Sequence, residues 1–304
     1  MSRTVLCVIE FDNYPEIVVA RAAWLAKQND CELELLSSDP VPNLLGETYI
    51  YLLESQMIAD SIRNSQDEEI DALAKSAEAM GVVVHKTTLS AHSDADMVRS
   101  RAAETEPLFV VKGTHYHTPS ERASLRDIDW RLIRGLDVPL WFVKPDEWKD
   151  SPVVVAAVDP MHSHDKPASL DRKIIKYAKA VTEQCEGSLK VLHTYQRLEA
   201  LGTRAMKRFK PVKLNIDEID EKIKSDHRDA LDAFAKECGI PEDAVHQLPG
   251  RSHELLPMFA RTNGASLVVM GALARSGLKK RIIGSTANRV LDHLPCDVLV
   301  IHPD

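Results

Sequence analysis

Hydrophobic positions along this chain fall into two alternating kinds of segment. Short, near-continuous apolar runs, suited to strands covered on both faces, lie near residues 4–10, 31–36, 82–88, 108–112 and 139–143. Between them, apolar residues recur at helical spacing near 15–29, 54–80, 94–104 and 128–134. The second half repeats the alternation. Its runs lie near 153–158, 189–193, 244–248, 267–270 and 298–302, and its helical patterns near 169–186, 217–238, 253–262 and 286–293. Strands alternating with helices predict parallel sheets joined by crossover helices, a doubly wound, Rossmann-like α/β fold. Gly81 and Gly239 each close a long helical pattern, where a left-handed C-cap is needed.

The repetition extends to residues. Phe109-Val-Val-Lys-Gly113 matches Leu267-Val-Val-Met-Gly271, and the same spacing carries Arg131 onto Arg289, Leu136 onto Leu294 and Lys144-Pro-Asp146 onto His302-Pro-Asp304. Val5–Glu10 likewise matches Val154–Asp159. Units this long are a tandem duplication rather than a solenoid, which places one domain at 1–146 and a second at 152–304. The last apolar run of each copy, Leu140–Val143 and Val298–Ile301, would form a sheet edge that water does not tolerate. Pairing of the two edges in an internal pseudo-dimer is the expectation; helices covering each edge separately are the alternative.

Composition narrows the class. A chain of 304 residues with 44% hydrophobic and 28% charged side chains can build two cores. The run Val5–Ile9 is too short for a leader or a membrane span. Five scattered cysteines without a CxxC favour neither a disulfide framework nor a zinc ribbon, so a reduced, cytoplasmic protein is expected. A net charge of −8 argues against general nucleic-acid or membrane-surface binding. Residues 1–150 carry 15 Lys and Arg against 26 Asp and Glu, and the remainder of the chain 23 against 20. The second half is therefore the better placed for an anion, although an acidic surface on the first half would leave the same imbalance.

The chemistry-bearing stretch follows the run 267–270. It reads Gly271-Ala-Leu-Ala274-Arg-Ser-Gly277-Leu-Lys-Lys-Arg-Ile-Ile-Gly284-Ser285-Thr286. Doubly wound sheets bind ligands beyond the carboxyl ends of their strands. Glycines there let backbone approach a ligand, Ser285 suits a helix N-cap, and the free amides of Thr286 and its neighbours form an anion site. The alternative is that the glycines only shape a loop and Ser285 only caps. Gly271-x-x-Ala274, nine residues, then Gly284-Ser285 resembles the G-x-x-G-(nine)-G-[S/T] loop of the universal stress protein family, and Asp159 matches the acid ending that family's first strand. The likeness covers both copies and the Lys144-Pro-Asp-Glu-Trp148 linker, as in tandem proteins of the E type.

The resemblance implies a cytoplasmic stress-response protein that holds ATP, with Mg²⁺, in its second domain. By the same resemblance it would act as a regulatory binding module in survival of stress and DNA damage, with protein partners and, beyond the pseudo-dimer within one chain, a homodimer as an option. Asp159 would meet the adenine, Met270 and Gly271 the nucleoside, and Gly284, Ser285 and Thr286 the phosphates. Ala274 departs from the pattern, and Gly277 offers an alternative turn. In the first copy Tyr116, Arg126 and Asp127 replace Ala274, Gly284 and Ser285, and Glu10 replaces Asp159, so that site reads as degenerate.

Other signals carry less. His115-x-His117 and His162-x-His164-Asp165 offer two imidazoles each, too few for a structural zinc, and no catalytic triad, zincin helix or Walker loop is present. No catalytic or metal-ligating residues are assigned. A slow ATPase using His162, His164 or Asp165, or a nucleotide-free adaptor or small-molecule carrier, are the competing readings. The basic stretch 202–213 reads as a phosphate lid or a solvated loop, and its apolar counterpart 40–53 as a pocket lining or a packing segment. Trp24, Trp130, Trp141 and Trp148 are assigned to core and linker packing of the first copy.

Overall fold

A computed structural model describes residues 3–39, 53–89, 94–114, 128–161, 168–197, 216–272 and 290–303. The chain divides into two units, Met1–Glu147 and Trp148–Asp304. Trp148, assigned from the sequence to the first copy, belongs to the second, where its Nε1 donates to Asp297 Oδ2 at 3.1 Å. The segments 40–52, 115–127, 162–167, 198–215 and 273–289 lie outside the described residues. With them lie Ala274, Gly277, Gly284, Ser285, Thr286 and both histidine pairs read from the sequence.

Unit 1 runs β1 (Thr4–Val8), α1 (Pro15–Gln28), β2 (Glu32–Ser38), α2 (Leu53–Ala79), β3 (Val84–Leu89), α3 (Asp94–Thr105), β4 (Phe109–Gly113), α4 (Ile128–Gly135) and β5 (Leu140–Val143). Its five strands are parallel in the order β3-β2-β1-β4-β5. Unit 2 runs β6 (Val153–Val158), α5 (Ala168–Gln184), β7 (Ser188–Tyr195), α6 (Ile216–Glu237), β8 (Val245–Pro249), α7 (Ser252–Thr262), β9 (Leu267–Gly271) and β10 (Asp297–Ile301). Its sheet is again parallel, in the order β10-β9-β6-β7-β8. Both are doubly wound α/β sheets.

The core follows the apolar runs. Val5, Leu6 and Cys7 of β1 and Val154, Val155 and Ala156 of β6 are fully buried, as central strands covered on both faces must be. The outer strands β3 and β8 are half exposed and carry Lys86 and Pro249, residues that discourage a further strand from pairing. Gly81 and Gly239 adopt φ of +86° and +61°, the left-handed caps the sequence called for. The helix expected over 286–293 falls largely outside the described residues, and 291–293 form a turn. Cys7, Cys31 and Cys296 are buried and Cys185 and Cys238 half-buried, all as free thiols.

Candidate functional site

Ligand crevices in such sheets open where the chain reverses its winding direction. In unit 1 that point lies between β1 and β4, and in unit 2 between β6 and β9. The two differ. β1 and β4 pair from Val5↔Phe109 through Val8↔Lys112. β6 and β9 pair from Val154↔Leu267 only through Ala156↔Val269, one step fewer. Beyond that step Ala157 is half-exposed, whereas its counterpart Val8 is buried. The unit 2 register is thus one pair shorter at its carboxyl end.

Asp159 stands directly after β6, and Met270 and Gly271 close β9. The structure thus brings these three sequence-predicted residues to one end of two neighbouring strands. Asp159 is largely buried, and its amide donates to Asp171 Oδ1 of α5 at 3.2 Å. Gly271 also has a packing reason for being glycine. A Cβ there would lie 2.8 Å from Leu170 Cδ2 and 3.4 Å from Ile174 Cδ1, so the residue lets α5 pack closely on β9. Lys173 Nζ ties α5 to the end of β10 by donating to the His302 carbonyl at 3.1 Å.

A pair of histidines missed by the sequence reading flanks this edge. His193 lies on β7 in register with Val158 and is fully buried. Its Nδ1 is 3.1 Å from the Val158 carbonyl and 4.0 Å from Asp159 Oδ1, and its Nε2 is 2.7 Å from Nδ1 of His227 on α6. The His227 ring also stacks on Tyr195, with centroids 5.4 Å apart. Burial pushes both imidazoles below their ordinary value, outweighing the nearby Asp159 carboxylate. Only His193, a polar residue ending an apolar run, left a trace in sequence; His227 is lost among the polar residues of a solvated helix.

Unit 1 carries a different arrangement at the matching place. Lys112, which aligns with Met270, is fully buried at the end of β4. Its ammonium lies 2.7 Å from Glu10 Oε2, 2.8 Å from Asp129 Oδ1 and 2.9 Å from the Gly113 carbonyl. Asp129, in the first turn of α4, also accepts from Thr114 Oγ1 at 2.6 Å, and Asn13 Nδ2 donates to Glu10 at 2.9 Å. Burial alone would lower the Lys112 pKa, but Asp129 and Glu10 hold it above its ordinary value. Tyr14, at φ +40°, sends its hydroxyl to the carbonyls of Thr114 and Val143, and burial raises its pKa to about 12. Among the described residues, this ion network occupies the strand ends of unit 1. The signal was a lysine inside an apolar strand pattern.

The universal stress protein family model matches residues 1–144 and 153–302. The chain belongs to the universal stress protein family. It carries two such domains in tandem, as E-type proteins of the family do. Universal stress protein E of Escherichia coli strain K12 is 30% identical over 203 residues, covering 64% of this chain and 61% of that protein. The chain therefore spans less than two thirds of the length of this curated relative. The universal stress protein E homolog of Haemophilus influenzae is 22% identical over 311 residues, covering 99% of this chain and 97% of its own. Among solved structures, a functionally unknown protein, PA1789 from Pseudomonas aeruginosa PAO1, has a TM-score of 0.69 at 23% identity, covering 100% of this chain and 93% of that one. A universal stress protein from Archaeoglobus fulgidus scores 0.67 at 17% identity over 99% and 97%. At these identities the structural likeness establishes the universal stress protein fold. Among the described residues no helix is long and apolar enough to cross a membrane, and no group of three or more His, Cys, Asp or Glu could hold a metal ion.

Proposed function

We propose that the second domain binds ATP, with Mg²⁺, at the strand ends around Asp159, Met270 and Gly271, and that occupancy regulates association with protein partners in a cytoplasmic stress response. The observation that carries this reading is the meeting of Asp159, Met270 and Gly271 at the ends of two neighbouring strands on either side of the winding reversal, with Asp159 largely buried. A crevice at a winding reversal admits the flat nucleoside edge-on between strand ends, and an acceptor-only carboxylate suits an amino-bearing base. The loop 273–289 leaves β9 at this point with Gly284, Ser285 and Thr286 to receive the phosphates and Arg275, Lys279, Lys280 and Arg281 to balance them. Among the described residues, the unit 1 strand ends set two carboxylates around one ammonium, a setting that disfavours a phosphate.

Isothermal titration of the full chain with Mg–ATP tests the reading. One equivalent per chain, with affinity reduced at least tenfold in Asp159→Ala, is expected. No heat and no thermal shift at millimolar ATP would overturn it and leave the adaptor or carrier reading. Phosphate release under single-turnover conditions separates a slow ATPase from a binding module, for which no release is expected.

A further inference from the structure

The His193–His227 contact fixes its own protons. A carbonyl can only accept, so Nδ1 of His193 carries the hydrogen directed at the Val158 carbonyl. In a neutral ring Nε2 is then bare, so the bond to His227 must be donated by Nδ1 of His227. His227 in turn keeps a bare Nε2. A first added proton can enter there without breaking the chain. A second has only Nε2 of His193 to occupy, which would set two N–H groups against each other across 2.7 Å and part the rings.

We propose that His193 and His227 are a proton-sensing pair that holds α6 against β7 beside Asp159 and makes ligand binding in the second domain fail on acidification. The proposal rests on the nucleotide reading given above. Among the described residues, the charged or titratable groups facing the pair are Asp159 at the end of β6, Asp171 on α5 and Asp226 on α6, with Tyr195 of β7 stacked on His227. The three carboxylates favour the charged rings, yet burial outweighs them, and the two imidazoles oppose one another. The sign follows. Both rings titrate below the ordinary value of 6.5 while the contact is closed, so the open form takes protons first. The contact is most stable above the ordinary imidazole range and weakens as pH falls below it, failing once the second proton is taken up. The inferred consequence is geometric: opening the pair moves the His193 ring, which lies 4.0 Å from Asp159 Oδ1 and is bonded to the carbonyl of the residue preceding that acid.

The test compares the full chain with His227→Asn, whose amide reproduces the Nδ1 donor but cannot titrate. Mg–ATP affinity is measured between pH 7.5 and 5.5, and amide exchange of α6 over the same range. The wild type is expected to lose up to about tenfold in affinity per pH unit below 6.5 relative to the variant, with faster exchange in α6. Protonation of the nucleotide itself is common to both proteins and cancels in the ratio. Equal pH profiles, or exchange in α6 that changes without a change in relative affinity, overturn the proposal. Absence of nucleotide binding at every pH defeats the nucleotide reading and this link together, whereas an equal α6 response in both proteins defeats the sensor alone. An NMR titration of the wild-type rings guards against a misfolded variant: His193 must titrate below the ordinary imidazole value, and a His193 signal at or above it contradicts the pair.

Discussion

An ammonium has three hydrogens, and Lys112 directs them at Glu10, Asp129 and the Gly113 carbonyl, with no exposed surface of its own. Removing one partner from such a cluster leaves buried charge uncompensated, which costs more than the cluster contributes over an apolar core. Lys112→Met should therefore destabilise unit 1 by about 3–5 kcal/mol, and adding Asp129→Asn should recover much of that loss. Denaturant unfolding followed by the fluorescence of Trp24, Trp130 and Trp141 reads this directly; additive losses in the double variant would contradict the shared network. The sequence marked Lys112 only as a charge interrupting Phe109-Val-Val-Lys-Gly113. Its two carboxylate partners, one from the end of β1 and one from α4, come together through folding alone. Asp159 was legible because a strand end followed by an acid is a local pattern. The His193–His227 bond was not, because 34 positions separate its members and no local rule joins a strand residue to one on a later helix.

At the level of elements, the winding pattern was legible almost throughout, because buried parallel strands leave continuous apolar runs and long helices end in glycine. Boundaries moved by a residue or two, most at β7, which runs on from His193 to Tyr195 because Thr194 and Tyr195 still pair with β8. What sequence could not provide was the register in which β6 and β9 pair, since both strands are apolar along their length. Gly271 and Gly239 show two separate physical demands on glycine. Gly271→Ala should cost about 1–3 kcal/mol through collision with Leu170, and Leu170→Ala in the same chain should relieve the collision at the expense of a cavity. Gly239→Ala meets only an ordinary contact with Lys179 Nζ at 3.7 Å but a left-handed φ, so about 1 kcal/mol is expected with no rescue by repacking. Thermal unfolding of the three variants distinguishes crowding from backbone strain.

Across the whole molecule, two copies of one fold have been specialised by a handful of positions. The first half holds the excess of acidic residues and, at its strand ends, a lysine paired with two carboxylates. The second half is mildly basic and has Asp159, Met270 and Gly271 at the matching strand ends. This division predicts that nucleotide acts on one unit only. Peptide-resolved hydrogen exchange of the full chain with and without saturating Mg–ATP examines both units in one experiment. Protection is expected at the ends of β6 and β9, around Asp159 and Met270–Gly271, and in the loop leading to Gly284, with the peptides around Glu10, Lys112–Thr114 and Asp129 unchanged. Protection centred on the unit 1 peptides, or none in unit 2, would contradict the account.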